Sequence, residues 1–270
     1  MEKSSRTLIP AAEFFKYRYP PFADTVELNN PFQSATESLI LQRALALIKQ
    51  GKSLAIYGDA GAGKSMLAKS ITQNLDAKAY RVVVIPYGGM KPSAILRELC
   101  EAFNIDLTGR KNLIPRLQKS FHQTDSNKPF PVIVVDDAHT MENQSFMELC
   151  SLLHDAQTKT SAAALVLVGQ PLLKKKLGLD IFAPVYTRLA SFFHLPKLSI
   201  DEAKEFIHYR LKIAEADSNL FDDDALECLA IDTGGNRRIL MNRAALCMEE
   251  AARRQDKVIT VEIVNAVTAE

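Results

Sequence analysis

The sequence predicts an α/β protein: a parallel sheet covered by helices on both faces, followed by a small helical domain. Three observations carry this expectation. Five β-rich apolar runs are separated by helix-patterned segments, a glycine loop joins the first run to a helix, and the pattern turns wholly helical after residue 198.

The first run, "SLAIY" (53–57), leads into Gly58-Asp59-Ala60-Gly61-Ala62-Gly63-Lys64-Ser65, and Met66 then continues the helix-like "MLAKSITQNL". This is GxxxxGK[ST] between a strand and a helix, the arrangement that cradles a polyphosphate. Several donors must converge on the phosphates, and backbone N–H groups unshielded by Cβ atoms can approach that closely. The opening turn of the helix adds further N–H groups and the positive end of its dipole. The pattern therefore points to a nucleoside triphosphate, with Lys64 reaching the β and γ phosphates and Ser65 holding Mg²⁺.

The remaining runs are "RVVVIPY" (81–87), "PVIVVDDA" (131–138), "AALVLVGQ" (163–170) and the weaker "SFFHLPKL" (191–198). The acidic run comes about 70 residues after the glycine loop, with "RVVVIPY" and two helical patterns between them, which leaves room for an extra strand between the two nucleotide strands. "QTDSNKPF" (123–130) reads as a loop. Asp136 ends its strand and Asp137 follows. In a phosphate site the first would hold Mg²⁺ through water, and the second would orient or deprotonate the attacking water.

Beyond "LPKL", helical patterns occupy residues 200–216 and the segments starting at 222, 237 and 260. Ser199 and Thr260 stand where N-caps belong, and Gly234-Gly235 separates two helices. The expected organisation is a leading segment over 1–30, a nucleotide-binding core over 31–197 and a helical domain over 198–270.

With 270 residues, 47% hydrophobic and 24% charged, the chain can bury a sizeable core. A net charge of +1 excludes a uniformly basic nucleic-acid coat. The charge is uneven, however: residues 1–195 carry +6 and residues 196–270 carry −5, so a polyanion should prefer the first part. Cys100, Cys150, Cys228 and Cys247 are widely spaced without a CxxC pair, and read as buried thiols of a reducing compartment. No signal-peptide core and no run of about 20 apolar residues appears, so a cytoplasmic protein without membrane contact is expected.

"GDAGAGKS", "VIVVDDAH", "LVLVGQPLL", "RLASFFHLPKLSIDEAKEFIHYRL" and "GGNRRILMNRA" together resemble the AAA+ ATPases of the ExeA type. These are similar in turn to the ATP-dependent helper proteins of DNA transposition, of the TniB, TnsC and MuB kinds. The resemblance runs from about Phe14 to the end. It implies a RecA-like AAA+ parallel-sheet core followed by a small α-helical lid.

By that resemblance Gln170 takes the place of the polar sensor of the γ-phosphate. Arg188 stands where such families place an arginine that reaches a neighbouring subunit's nucleotide. Arg238 matches the lid arginine of a GNPRxIN-like pattern, with Arg237 in place of the usual proline. Most members carry Glu where this chain has Asp137. One methylene less shortens the reach to the attacking water, which implies slow hydrolysis suited to a timer or assembly switch. The aromatic stretch containing Phe14, Phe15, Tyr17, Tyr19 and Phe22 would pack on the core and help cover the adenine.

For DNA the candidates are Lys91 in "GGMKPS", the run Lys174-Lys175-Lys176, and Arg110-Lys111. Related helpers thread duplex DNA through a ring or helical filament, which gives salt-dependent binding nearly blind to sequence. The first expectation is thus a transposition regulator that oligomerises on duplex DNA and recruits or stimulates a transposase. A secretion ATPase of the ExeA type is the alternative, although that type usually continues into a membrane span. A nucleotide-gated interaction module with little turnover is the third.

Overall fold

The computed structural model describes residues 10–23, 31–87, 89–107, 113–121, 128–153 and 161–269. Arg110 and Lys111 lie outside the described residues. In chain order the elements begin with α1 (Ala11–Phe15), α2 (Ala35–Lys49), β1 (Ser53–Tyr57), α3 (Lys64–Gln73), β2 (Tyr80–Pro86) and α4 (Pro92–Ala102). Next come α5 (Leu113–Phe121), β3 (Phe130–Asp136), α6 (Asn143–Leu152), β4 (Ala164–Gly169), α7 (Pro171–Leu177), α8 (Ala183–Tyr186) and β5 (Leu189–His194). The chain finishes with α9 (Ile200–Ile213), α10 (Asp223–Asp232), α11 (Arg237–Arg254) and α12 (Val261–Thr268). It divides into two compact units, one of residues 35–195 and one of residues 1–34 with 196–270.

In the first unit, five strands among the described residues form one sheet in the order β2-β3-β4-β1-β5, with every pair parallel. The period-2 alternation of a strand divides the apolar residues between two cores. Leu54, Ile56, Val132, Val134, Val166 and Val168 pack with residues of α2 and α3. Ala55, Ile85, Ile133, Val135, Leu165 and Leu167 pack with residues of α4, α5, α6 and α7. Burial on both faces is why β3 and β4 read as unbroken aliphatic runs.

The strand that separates β1 from β3 is β4, not the intervening β2 of the sequence. β2 is the sheet edge, and its Val84 is half exposed although it belongs to the same kind of valine run. A valine run fixes β propensity, but edge or centre is decided by which neighbour hydrogen-bonds to it.

The helical unit has its own core, in which Phe206, Leu211, Leu229, Leu240 and Cys247 are buried, and Phe22 of the leading segment joins it. Ser199 caps α9 in a reciprocal box: the Glu202 N–H donates to its Oγ at 3.2 Å, and its own N–H donates to the Glu202 carboxylate at 2.9 Å. Thr260 occupies the N-cap of α12 without a side-chain bond there. Gly235, at φ 69°, separates α10 from α11, and a Cβ on it would sit 1.9 Å from the Leu198 carbonyl oxygen, so only glycine fits.

The described part of the leading segment is held within this helical unit. The buried Arg210 guanidinium donates to the carbonyls of Pro21 at 2.6 Å and Ala23 at 2.9 Å. Phe22 meets Phe221 edge-on at 6.1 Å.

Candidate nucleotide site

Parallel strands bring all their C-terminal ends to one edge of the sheet. There Tyr57 is in register with Gly169 and with His194, and Asp136 with Pro86. The loop after β1 starts from a tight junction: the Gly58 N–H donates to the Gly169 carbonyl at 3.2 Å, and the Leu195 N–H donates to the Tyr57 carbonyl at 2.8 Å. A Cβ at Gly58 would lie 2.3 Å from the Leu195 carbonyl oxygen, so the backbone approach itself requires glycine.

Gly61 and Gly63 adopt φ values of 77° and 101°, which turn the chain into α3. Gly63 is the N-cap of α3 and contributes no side-chain cap, so the opening turn of the helix, with Ser65 and Met66, presents its N–H groups to the loop hollow. Lys64 is buried, and its Nζ donates to the Asp59 carbonyl at 2.8 Å. Unpaired N–H groups at the opening of a helix, with an ammonium folded back onto the same loop, fit a polyphosphate.

Beside the loop, β3 ends on Asp136, whose Oδ1 accepts from the Asp137 N–H at 2.9 Å. Asp137 sits in the left-handed region at φ 51°, a conformation that aspartate tolerates, and this turns the chain out of the strand into a short 3₁₀ segment. Its carboxylate is mostly exposed. Gln170 follows Gly169 at the tip of β4 as the N-cap of α7. Asp136, Asp137 and Gln170 therefore share the sheet edge with the glycine loop.

His139, two residues past Asp137 in "VIVVDDAH", has no sequence pattern that marks it. Its ring is largely buried, Nδ1 lies 3.9 Å from an Asp137 carboxylate oxygen, and Nδ1 has no hydrogen-bond partner among the described residues. Tyr57, at the end of "SLAIY", is equally unmarked in the sequence. Its hydroxyl accepts from Lys174 Nζ at 3.0 Å, which raises the pKa of that ammonium, and its ring lies 5.2 Å from that of His194.

The lysine run is on helix α7, because Pro171 starts a helix directly after β4. Helical spacing then separates the three side chains. Lys174 is committed to Tyr57, while the half-buried Lys176 donates to the Met141 carbonyl and lies 5.3 Å from the Phe146 ring centre. Burial lowers the pKa of Lys176. Lys175 is exposed. Lys91, the exposed N-cap of α4, borders a cleft of about 390 Å³ that Glu142 and Glu148 also line, and these carboxylates offset part of its field.

Arg188 lies at the other end of the sheet, just before β5 begins in register with Ser53. A strand of six residues separates it from the phosphate-loop edge, about 20 Å at ~3.3 Å per residue, which is beyond the reach of one side chain. Its Nη1 donates to Cys150 Sγ at 3.0 Å and to the Pro184 carbonyl at 2.9 Å.

In the helical unit the two neighbouring arginines have different environments. Arg237, at the first position of α11, is buried with its guanidinium 5.6 Å from the ring centres of both Phe32 and Phe206. Arg238 is exposed in the same turn. Asn236 caps the helix by accepting from the Ile239 N–H at 3.3 Å.

Sheet order, glycine loop and paired acids together define the class: an α/β protein with a RecA-like AAA+ core. Residues 47–177 match the family model of the AAA domain. General secretion pathway protein A of Aeromonas hydrophila is 22% identical over 233 residues, which are 84% of this chain and 42% of that protein. The chain thus spans less than half of that relative's length.

Among solved structures, Cdc6p of Pyrobaculum aerophilum superposes with a TM-score of 0.72 at 16% identity, over 92% of this chain and 69% of that one. The ORC1 protein of Aeropyrum pernix, solved in complex with DNA, gives 0.67 at 16% identity, over 94% and 69%. At such identities the likeness establishes the fold. No helix among the described residues is long and apolar enough to cross a membrane.

Proposed function

We propose that this chain is an ATP-hydrolysing AAA+ switch that assembles into a homo-oligomer, a ring or helical filament, on duplex DNA and there recruits or stimulates a transposase. The ATPase part rests on one observation, the convergence of the glycine loop, Asp136, Asp137 and Gln170 on a single sheet edge. ATP would supply the phosphoanhydride and Mg²⁺ the charge that offsets it. Lys64 would face the β and γ phosphates, Ser65 and Asp136 would hold the metal, and Asp137 would orient or deprotonate water. Gln170 would read the γ-phosphate. By the family resemblance Arg238 would be the lid arginine; it is exposed, whereas the Arg237 guanidinium lies against two phenylalanine rings. Arg188, a strand's length from its own loop, would serve a neighbour's nucleotide.

The DNA part draws on the +6 charge of residues 1–195 and on the fold shared with an ORC1 protein that was solved with DNA. Among the described candidates Lys91, Lys174 and Lys175 are exposed, and Lys174 is hydrogen-bonded to Tyr57. A second reading, action in a secretion pathway, is favoured by the relation to General secretion pathway protein A. The experiment that separates the two is binding of the full chain to long duplexes of unrelated sequence, with and without a slowly hydrolysed ATP analogue, across a salt series. ATP-dependent, cooperative binding that weakens steeply with salt is the expected result. Nucleotide binding without any DNA shift at low salt would move the assignment to secretion.

A further inference from the structure

We propose that Cys150 is a positioning residue for Arg188: its sulfur and the Pro184 carbonyl form a two-point seat that aims the guanidinium before a neighbouring subunit arrives. This rests on the proposed role of Arg188 at a neighbour's nucleotide. Three contacts close a triangle among α6, α8 and the residue preceding β5. Arg188 Nη1 donates to Cys150 Sγ at 3.0 Å and to the Pro184 carbonyl at 2.9 Å, and the Cys150 thiol donates to the same carbonyl at 3.4 Å. Cys150 is 2% exposed and Arg188 is exposed, so the seat belongs to the rigid core while the charge stays at the surface.

The chemistry of the seat suits this role. An exposed arginine samples many rotamers and loses that freedom when it binds, so fixing one nitrogen beforehand reduces the cost of a later contact. A carboxylate at position 150 would also fix the guanidinium, but it would cancel the charge that a phosphate needs. A neutral thiol is a weak acceptor that orients without cancelling. Burial raises the thiol pKa, which keeps it protonated beside the cation. Only Nη1 is spent on the seat. Among the described residues Nε and Nη2 make no hydrogen bond, so the fork can still bind an anion.

The test is a double-mutant cycle on the full chain with Cys150→Ala, Cys150→Ser, Arg188→Ala and Cys150→Ala/Arg188→Ala, scored for ATP affinity and for turnover at saturating ATP. The expected result is a 3- to 10-fold loss of turnover in Cys150→Ala, about the scale of one hydrogen bond, with ATP affinity unchanged and substantial rescue in Cys150→Ser. The double variant should be no slower than Arg188→Ala, since the seat has no function without its occupant. Additional loss in the double variant would assign Cys150 a general packing role and overturn the proposal. If Arg188→Ala slows turnover and Cys150→Ala does not, the seat fails while the reading of Arg188 survives. If Arg188→Ala is itself without effect, that reading fails and the seat with it.

Discussion

Lys64 Nζ donates a 2.8 Å hydrogen bond to the carbonyl oxygen of Asp59, five residues earlier in the same loop. The ammonium is therefore folded back onto the loop, held by the backbone it would serve. Lys64→Ala should lower ATP affinity roughly 10- to 100-fold, the weight of a charge-assisted hydrogen bond to phosphate, while leaving the melting temperature nearly unchanged. A nucleotide titration measures this directly. Unaltered affinity would remove the phosphate-loop assignment.

Asp137 is held off the end of β3 by its left-handed backbone, with its carboxylate mostly exposed beside the loop. Asp137→Asn keeps the shape and can still hydrogen-bond to water, but it is a poor base. ATP binding should persist while single-turnover hydrolysis falls by roughly 10²- to 10⁴-fold. Hydrolysis at the original rate would mean that another group activates the water, and His139 would be the next residue to change.

Gly58 has no room for a methyl group, because the Leu195 carbonyl oxygen occupies that space at 2.3 Å and belongs to backbone that is itself bonded to Tyr57. Gly58→Ala should cost about 1–3 kcal/mol as an overpacked site and lower the melting temperature by several degrees. Gly178→Ala is the control, since its nearest contacts are ordinary ones at 3.5 Å. Equal effects of the two changes would contradict the close approach at the sheet edge.

Glu250 in α11 accepts from Arg253 and Arg254, and these hydrogen bonds lower its pKa from an ordinary 4.5 to about 2. A carboxylate depressed in the folded state contributes stability that is full above about pH 4.5 and is lost as the pH falls towards 2. The contribution should be below about 1 kcal/mol, because Arg253 is largely exposed and salt screens the pair. Glu250→Gln should melt slightly lower than the parent chain at neutral pH and at the same temperature near pH 2. A difference that persists unchanged to pH 2 would assign the effect to packing.

The sequence by itself determined the parts that depend on short-range chemistry. The glycine loop was legible because Gly58 to Ser65 is a contiguous pattern with a strand before it and a helix after it. Asp136 and Asp137 were legible because they end an aliphatic run. The Ser199 cap was legible because a capping box is closed within four residues, and the covering of both sheet faces followed from unbroken aliphatic runs. All of these are set by neighbours in the chain.

Tertiary structure decided everything that depends on a distant partner. The valine run of β2 does not encode its place at the sheet edge, because strand order follows from which surfaces the crossovers bury. Adjacent Arg237 and Arg238 are chemically identical, and only the distant rings of Phe32 and Phe206 make one a packed cation and leave the other exposed. Likewise three consecutive lysines read as one basic patch, until helical geometry and the contacts to Tyr57 and Met141 separate them. Cys150 and Arg188 stand 38 positions apart, and the 3.0 Å between them exists only once α6 packs against α8. Local patterns fix dihedral angles and period, whereas the pairing of side chains across the chain is fixed by packing.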